Sequence, residues 1–158
     1  MRPDAISPDR TQILLVEDNP LDARATIRAL AGLAVSAEIE HRSDGAEALN
    51  SLNESVQSGS MPDLILLDLN ASGVRGLDVL DAVMTNPTLR HIAVAILSTS
   101  DHHNDIDAAL ARGALAYLIK PHALDGWADI ITTLDAIVAG ATLPQPSSDV
   151  PEHGERTQ

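Results

Sequence analysis

Five polar side chains that could do chemistry directly follow short apolar runs in the 158-residue sequence. Glu17 and Asp18 follow one run, Asp68 follows a second, and Ser98 and Lys120 follow two others. Clustered carboxylates repel one another unless a cation lies among them, so the three acids predict a site for Mg²⁺ or Mn²⁺. A carboxylate beside such a metal can attack phosphorus, and we expect Asp68, on the central strand, to be that nucleophile.

Lys120 is the only lysine in the chain, which has ten Lys and Arg residues in total. An ammonium is a compact point charge that can enter a crowded site, whereas the broad guanidinium of arginine needs more room. We therefore expect Lys120 to neutralise the carboxylate charge that the metal leaves. Each acid taken alone has a simpler explanation, because an acid after a strand is often the N-cap of the next helix.

The apolar runs have the length and continuity of buried parallel strands. They are residues 13–16, 64–67, 92–97 and 114–119, with a weaker, alternating run at residues 36–42. Helical periodicity separates the runs, with Asn19, Asp44 and either Ser100 or Asp101 as candidate N-caps. The alternation predicts a doubly wound α/β domain, a three-layer sandwich around a five-stranded parallel sheet, with its ligand site at the carboxyl ends of the strands.

The first and last predicted helices differ in how much apolar surface they carry. In the first, the stripe expected to face the core consists of Ala23, Ile27, Leu30 and Ala31. The last, at about residues 123–139, is apolar over half its circumference, so it is either deeply buried or meets a partner along one edge. Residues 12–139 then form the domain, between a flexible segment at residues 1–11 and a disordered tail at residues 140–158.

Composition excludes several classes of function. The net charge of −13 argues against binding to nucleic acid, because such binding relies on clustered Lys and Arg. No apolar run approaches the ~18 residues of a membrane span and the first residues lack the layout of a signal peptide, so we expect a cytoplasmic protein that binds no membrane. Without cysteine, a disulfide or a Cys-ligated metal is impossible, and without a P-loop motif we expect no nucleotide substrate.

Four segments together resemble the receiver domain of two-component response regulators. They are ILLVEDNP at residues 13–20, LILLDLN at 64–70, AILSTSD at 95–101 and GALAYLIKP at 113–121. The resemblance implies a flavodoxin-like sheet of strand order 2-1-3-4-5. It also implies that Asp68 accepts a phosphoryl group from the phosphohistidine of a sensor histidine kinase. Such a domain promotes only its own phosphorylation and dephosphorylation, so it is not a turnover enzyme.

The resemblance assigns a role in metal binding to four residues. It implies that Asp18 and Asp68 bind Mg²⁺ directly, together with the backbone carbonyl of Asn70, while Glu17 acts through a metal-bound water. One departure from the family lies close by. The loop after Asp68 lacks the proline that is usual two residues beyond the position of Asn70, which affects the expected stiffness of the loop.

The resemblance also implies a switch. Ser98 and Lys120 bind phosphoryl oxygens, and Tyr117 turns inward into the space that the Ser98 hydroxyl leaves. The movement couples the site to the face formed by the fourth helix, the fifth strand and the fifth helix, where we expect a change in homodimerisation or partner binding. The family further implies a cis bond between Lys120 and Pro121. Thr99 is larger than the family's usual residue and is expected to narrow access to the phosphate.

Within the family, the EDNP, DLN and STSD segments and the lack of an output domain are similar to stand-alone regulators of bacterial phytochrome histidine kinases. Two other functions compete with this one. A phosphorylation-independent interaction module would contain a vestigial acidic site, and the intact set of polar residues argues against it. A metal-dependent phosphohydrolase would need a second acid two residues after Asp68, where the sequence has Asn70.

Overall fold

The computed structural model describes residues 10–69, 75–122 and 126–140. Strands and helices alternate along these ranges. The strands are β1 (Arg10–Val16), β2 (Ser36–Arg42), β3 (Leu64–Leu67), β4 (Ala93–Ser98) and β5 (Ala116–Ile119), and the helices are α1 (Pro20–Leu30), α2 (Gly45–Ser58), α3 (Gly76–Thr85), α4 (His103–Ala111) and α5 (Trp127–Val138). All neighbouring strands pair in parallel, in the order β2-β1-β3-β4-β5. The predicted fold class and strand order are confirmed.

Helices cover both faces of the sheet, and this explains the continuous apolar runs. On β1, Leu14 and Val16 pack in one layer with α2, α3 and α4, while Ile13 and Leu15 pack in the other with α1 and α5. All four residues of β3 are fully buried. A parallel strand that is buried on both faces has no place for an unpaired polar side chain, so the first polar residue marks its end.

Side-chain caps fix the starts of the first two helices, as predicted. Asn19 Oδ1 accepts hydrogen bonds from the backbone N–H groups of Leu21 at 2.9 Å and Asp22 at 3.1 Å. Pro20 occupies the first helical position, and Asp44 caps α2 through its own side chain. These bonds satisfy N–H groups that have no partner within the helix. They also fix where the first turn of α1 lies relative to the end of β1.

The predicted N-cap of α4 is wrong. The helix begins at His103, and its N-cap is His102 rather than Ser100 or Asp101. The Ser100 hydroxyl is bonded instead to Asp105 in the first turn, and its oxygen accepts from the N–H of His102 at 3.3 Å. Ser100 therefore stabilises the start of the helix from two residues before the cap position.

The buried stripe of α1 also differs from the prediction. Thr26 is 1% exposed and Ile27 is 38% exposed, so the buried face contains Ala23, Thr26 and Leu30. Thr26 can be buried because its hydroxyl donates a hydrogen bond of 2.8 Å to the carbonyl of Asp22, one turn earlier. A pattern of apolar residue types cannot detect a threonine whose polar group is satisfied within its own helix.

Several element boundaries differ from the predicted ones. β4 is Ala93–Ser98 rather than residues 92–97, and β5 is Ala116–Ile119 rather than residues 114–119. β1 begins at Arg10, so Arg10 and Thr11 belong to the sheet and not to the N-terminal segment predicted for residues 1–11; they pair with Ser36 and Ala37 of β2. α5 begins at Trp127, and residues 123–125 at its predicted start lie outside the described residues.

Within the described ranges, no helix is long and apolar enough to cross a membrane.

Candidate functional site

Backbone hydrogen bonds place the strand-end residues side by side. The N–H of Asp68 donates to the carbonyl of Val16 at 3.1 Å, and the N–H of Lys120 donates to the carbonyl of Ser98 at 2.8 Å. Each bond continues a parallel ladder by one residue beyond the end of a strand. Glu17, Asp68, Ser98 and Lys120 therefore lie at the carboxyl edge of four neighbouring strands, β1, β3, β4 and β5.

Three carboxylates form a compact group at this edge. Glu17, Asp18 and Asp68 each place an oxygen within 4.8 Å of the oxygens of the other two. None of them is the N-cap of a helix, because α1 and α3 both take a later residue as their cap. The simpler explanation of these acids therefore fails, and the all-oxygen group fits a hard divalent cation. The fourth predicted ligand, the carbonyl of Asn70, lies outside the described residues.

Lys120 is buried among carboxylates, and one of its partners was not among the predicted site residues. Its Nζ atom is bonded to Glu17 Oε1 and lies 3.3 Å from Asp68 Oδ2 and 3.1 Å from Asp22 Oδ2. Burial alone would lower the pKa of Lys120, but these carboxylates outweigh burial and hold it above its ordinary value. Sequence reasoning missed Asp22, because an acid in the first turn of a helix is already explained by the helix dipole.

Hydrogen bonds hold both the side chain and the backbone of Glu17. Its Oε2 atom accepts from the N–H of Asn19 at 3.2 Å, and a hydrogen bond of 2.7 Å joins His41 Nε2 to its carbonyl oxygen. Burial raises the pKa of Glu17 from 4.5 to about 7; the hydrogen bond from Lys120 opposes the rise, and the Asp68 carboxylate adds to it. In the absence of a metal, Glu17 is therefore partly protonated at neutral pH.

This raised pKa predicts that the metal-free protein loses stability as the pH rises through about 7. Between about 4.5 and about 7 the folded state keeps a proton that the unfolded chain has released, so the stabilisation is complete below this window and absent above it. We expect a loss of roughly 1 kcal/mol in the free energy of unfolding between about pH 6 and about pH 8. Urea unfolding in a chelator measures the loss, and Glu17→Gln should remove that part of the pH dependence. The same pH dependence in both proteins would contradict the assignment to Glu17.

Ser98 and Tyr117, the two predicted switch residues, are connected through Ser100. Ser98 is fully buried, and its Oγ atom accepts from the N–H of Ser100 at 3.2 Å. Tyr117 is half-buried and donates from its hydroxyl to the carbonyl of Ser100 at 2.9 Å. A displacement of the Ser98 hydroxyl would therefore act directly on the residue that holds Tyr117. Thr99 is exposed.

The peptide bond after Lys120 differs from the expectation. The described residues contain no cis peptide bond, so the Lys120–Pro121 bond is trans and the expected cis bond is wrong. The two isomers before a proline differ by only about 0.5–1 kcal/mol, so the proline permits either of them. The backbone of Lys120 is fixed on its N-terminal side by the bond to Ser98.

A doubly wound sheet with carboxylates and a lysine at its carboxyl edge defines the class of response regulator receiver domains. The model of the family described as "Response regulator receiver domain" matches residues 13–132. The chain therefore belongs to this family, whose members regulate two-component signalling. The match begins within β1 and ends within α5, so it contains the whole of the site described above.

Two relatives are similar in sequence to this chain over about two thirds of its length. The probable methanogenesis regulatory protein FilR2 of Methanothrix harundinacea is 39% identical over 110 residues, which are 69% of this chain and 71% of FilR2. The response regulator Rcp1 of Synechocystis is 34% identical over 110 residues, which are 68% of this chain and 75% of Rcp1.

Two solved structures are similar along their whole length. One is the phosphorylated cyanobacterial phytochrome response regulator RcpA, with a TM-score of 0.76 and 36% identity over 85% of this chain and 99% of RcpA. The other is the Mn²⁺-bound form of Rcp1, with a TM-score of 0.71 and 30% identity over 85% of this chain and 99% of Rcp1. The similarity predicted from the sequence, to regulators associated with phytochromes, is confirmed.

Proposed function

We propose that this chain is a phosphorylation-switched response regulator in which Asp68 accepts a phosphoryl group from the phosphohistidine of a sensor kinase. The observation that carries the proposal is the buried Asp68 carboxylate, 3.3 Å from the ammonium of Lys120 and grouped with two further carboxylates. In the transfer, an Asp68 oxygen forms a bond to phosphorus and the phosphorus–nitrogen bond of the phosphohistidine breaks. The bonding electrons leave with the imidazole nitrogen, and because the other ring nitrogen of the phosphohistidine carries a proton, the products are an aspartyl phosphate and a neutral histidine.

Mg²⁺ is the proposed cofactor, with Mn²⁺ as a substitute. Asp18 and Asp68 would hold it directly and Glu17 through a water, and when bound it would offset the charge of the phosphoryl oxygens. Lys120 would bind one phosphoryl oxygen through a charge-assisted hydrogen bond, and the Ser98 hydroxyl would donate to another. The Mn²⁺-bound form of Rcp1 and the acidic group of this chain both support the proposal.

The proposed switch uses the connection through Ser100. When the Ser98 hydroxyl moves to the phosphoryl group, it gives up the hydrogen bond that it accepts from the Ser100 N–H. The loop before α4 is then free to shift, and the carbonyl of Ser100 that holds Tyr117 shifts with it. Phosphorylation of Asp68 would in this way change the surface formed by α4, β5 and α5.

We propose that this α4-β5-α5 face forms a homodimer. Leu115 and Ile119, before and at the end of edge strand β5, are 49% and 45% exposed, and Ile131 and Val138 of α5 are half-buried. Burial of such apolar side chains against a second copy is favourable.

We also propose that the sensor kinase is of the phytochrome type. The similarity of this chain to the phytochrome response regulator RcpA supports this choice.

The proposal is tested by incubating the wild-type protein with Mg²⁺ and a small acyl phosphate. We expect intact mass to increase by one phosphoryl group, the increase to disappear with a chelator, and the elution volume in size exclusion to change. A protein that binds Mg²⁺ but gains no mass from the donor or from a phytochrome-type kinase would contradict phosphotransfer. A phosphorylation-independent interaction module would then be the better explanation.

A further inference from the structure

Asp22 is a partner of Lys120 that lies apart from the residues expected to bind metal and phosphate. Its Oδ2 atom is 3.1 Å from Lys120 Nζ, although the two residues are 98 positions apart in the chain. Asp22 belongs to the first turn of α1, whereas Glu17 and Asp68 follow strands. It is also outside the compact group of three carboxylates.

The position of Asp22 is fixed independently of the site. Its backbone N–H donates to the cap residue Asn19, and its carbonyl accepts from the buried hydroxyl of Thr26. The Lys120 side chain is 9% exposed, so its ammonium depends on protein groups to accept its three N–H bonds. Glu17, Asp68 and Asp22 supply three acceptors for them.

Two of these three acceptors have a second task in the proposed function. Glu17 and Asp68 would contribute to the metal site, and Asp68 would become esterified to phosphate. Asp22 takes part in neither event, so among the partners that the described residues offer the ammonium it is the one that stays unchanged through the cycle. Without it, the ammonium would have to compete with the cation for the same carboxylates.

We propose that Asp22 is a positioning residue, which holds the ammonium of Lys120 in place while Mg²⁺ and the phosphoryl group occupy its other partners. The proposal rests on the proposed function for the roles of Glu17 and Asp68. The Asp22 side chain is 42% exposed, so solvent weakens the contact and its loss reduces phosphorylation without abolishing it.

The chain offers two direct probes of this contact. Because Lys120 is the only lysine, protein labelled with ¹⁵N at lysine Nζ gives a single side-chain ammonium resonance. Because Trp127 is the only tryptophan and lines a cleft of about 190 Å³ together with Asp22 and Lys120, its fluorescence is sensitive to changes around these two residues when Mg²⁺ is added. Neither measurement requires phosphorylation.

The experiment compares Asp22→Ala, which removes the acceptor, with Asp22→Asn, which removes the charge but keeps an oxygen acceptor. Asp78→Ala is the matched control, because Asp78 is an exposed acid in the first turn of α3. In saturating Mg²⁺ we expect the ammonium resonance to be present in wild type, Asp22→Asn and Asp78→Ala, and to be broadened by exchange with water in Asp22→Ala. We expect Asp22→Ala to slow phosphorylation by a small acyl phosphate about three- to tenfold, with most of the rate kept in Asp22→Asn.

Two results would overturn the proposal. One is an unchanged ammonium resonance in Asp22→Ala, whatever the rate. The other is an equal loss of rate and of Mg²⁺ affinity in Asp22→Ala and Asp22→Asn, because that result would assign the effect to charge alone. If the wild-type protein takes up no phosphate, the proposed function fails, but the resonance still decides whether Asp22 holds Lys120.

Discussion

Asp68→Asn is expected to take up no detectable phosphoryl group from an acyl phosphate or from a kinase, under conditions that convert the wild type. An amide oxygen is a poor nucleophile and cannot form the aspartyl phosphate, so the loss is complete rather than partial. Intact mass after incubation with Mg²⁺ measures the result. An equal gain of mass in wild type and Asp68→Asn would show that another residue accepts the phosphate.

We expect the loss of phosphorylation in Asp68→Asn to arise without unfolding of the protein. Asp68 is buried beside Glu17, and their carboxylates place oxygens within 4.8 Å of each other, so each disfavours the charge of the other. Removing one of them lowers the pKa of Glu17 and is expected to stabilise the metal-free protein at about pH 8 by about 1 kcal/mol or less. Urea unfolding of both proteins measures this difference. If Asp68→Asn is strongly destabilised instead, its loss of phosphorylation cannot be assigned to the missing nucleophile.

Asp63→Asn provides a control at the opposite end of the same strand. Asp63 lies just before β3, and its carboxylate accepts from the backbone N–H of Gln12 at 2.8 Å. It matches Asp68 in residue type and in strand, but it lies at the amino edge of the sheet. We expect Asp63→Asn to be phosphorylated at the wild-type rate.

The parts of the fold that the sequence predicted well have one physical cause. The boundaries of β3 are the predicted ones because both faces of this strand are covered, so Asp63 before it and Asp68 after it are the nearest places for a carboxylate. The same cause places the strand-end residues at one edge of a parallel sheet. The acidic group and its lysine therefore followed from strand ends alone.

The parts that could not be predicted depend on contacts between elements or on satisfied polar groups. Asp22 reaches Lys120 only because α1 starts beside the end of β5, and no spacing in the chain records this approach. Thr26 is buried because its hydroxyl is bonded within α1, and Ser100 acts from outside α4. In each case a particular hydrogen bond, which the residue type alone does not predict, decides what the side chain does.

Lys120→Arg is expected to slow phosphorylation by about tenfold to a hundredfold, although it keeps the positive charge. Lys120 is 8% exposed and its Nζ atom meets three carboxylates, so a planar guanidinium can enter only if some of those groups move. A displacement of Asp68 by a fraction of an ångström misaligns the nucleophile with the phosphodonor. The rate of mass gain with an acyl phosphate measures the effect.

The free energy of unfolding distinguishes the effect of side-chain size at position 120 from the effect of its charge. The larger side chain of Lys120→Arg is expected to cost about 1–3 kcal/mol through overpacking, with little dependence on pH. Lys120→Met removes the charge at similar volume and is expected to cost about 3 kcal/mol at about pH 8, because the carboxylates lose their counterion. At about pH 6 the Lys120→Met cost should be smaller, because Glu17 can then take up a proton.

Lys120→Arg is an informative substitution in this chain because every other Lys or Arg position already contains arginine. The other nine of its ten Lys and Arg residues are arginine, so a position that needed charge alone would be expected to contain arginine as well. If Lys120→Arg is phosphorylated at the wild-type rate and is as stable as the wild type, the site accepts a guanidinium and the single lysine has no steric cause. If Lys120→Arg loses rate while Lys120→Met loses both rate and pH-dependent stability, the position requires an ammonium for its shape as well as for its charge.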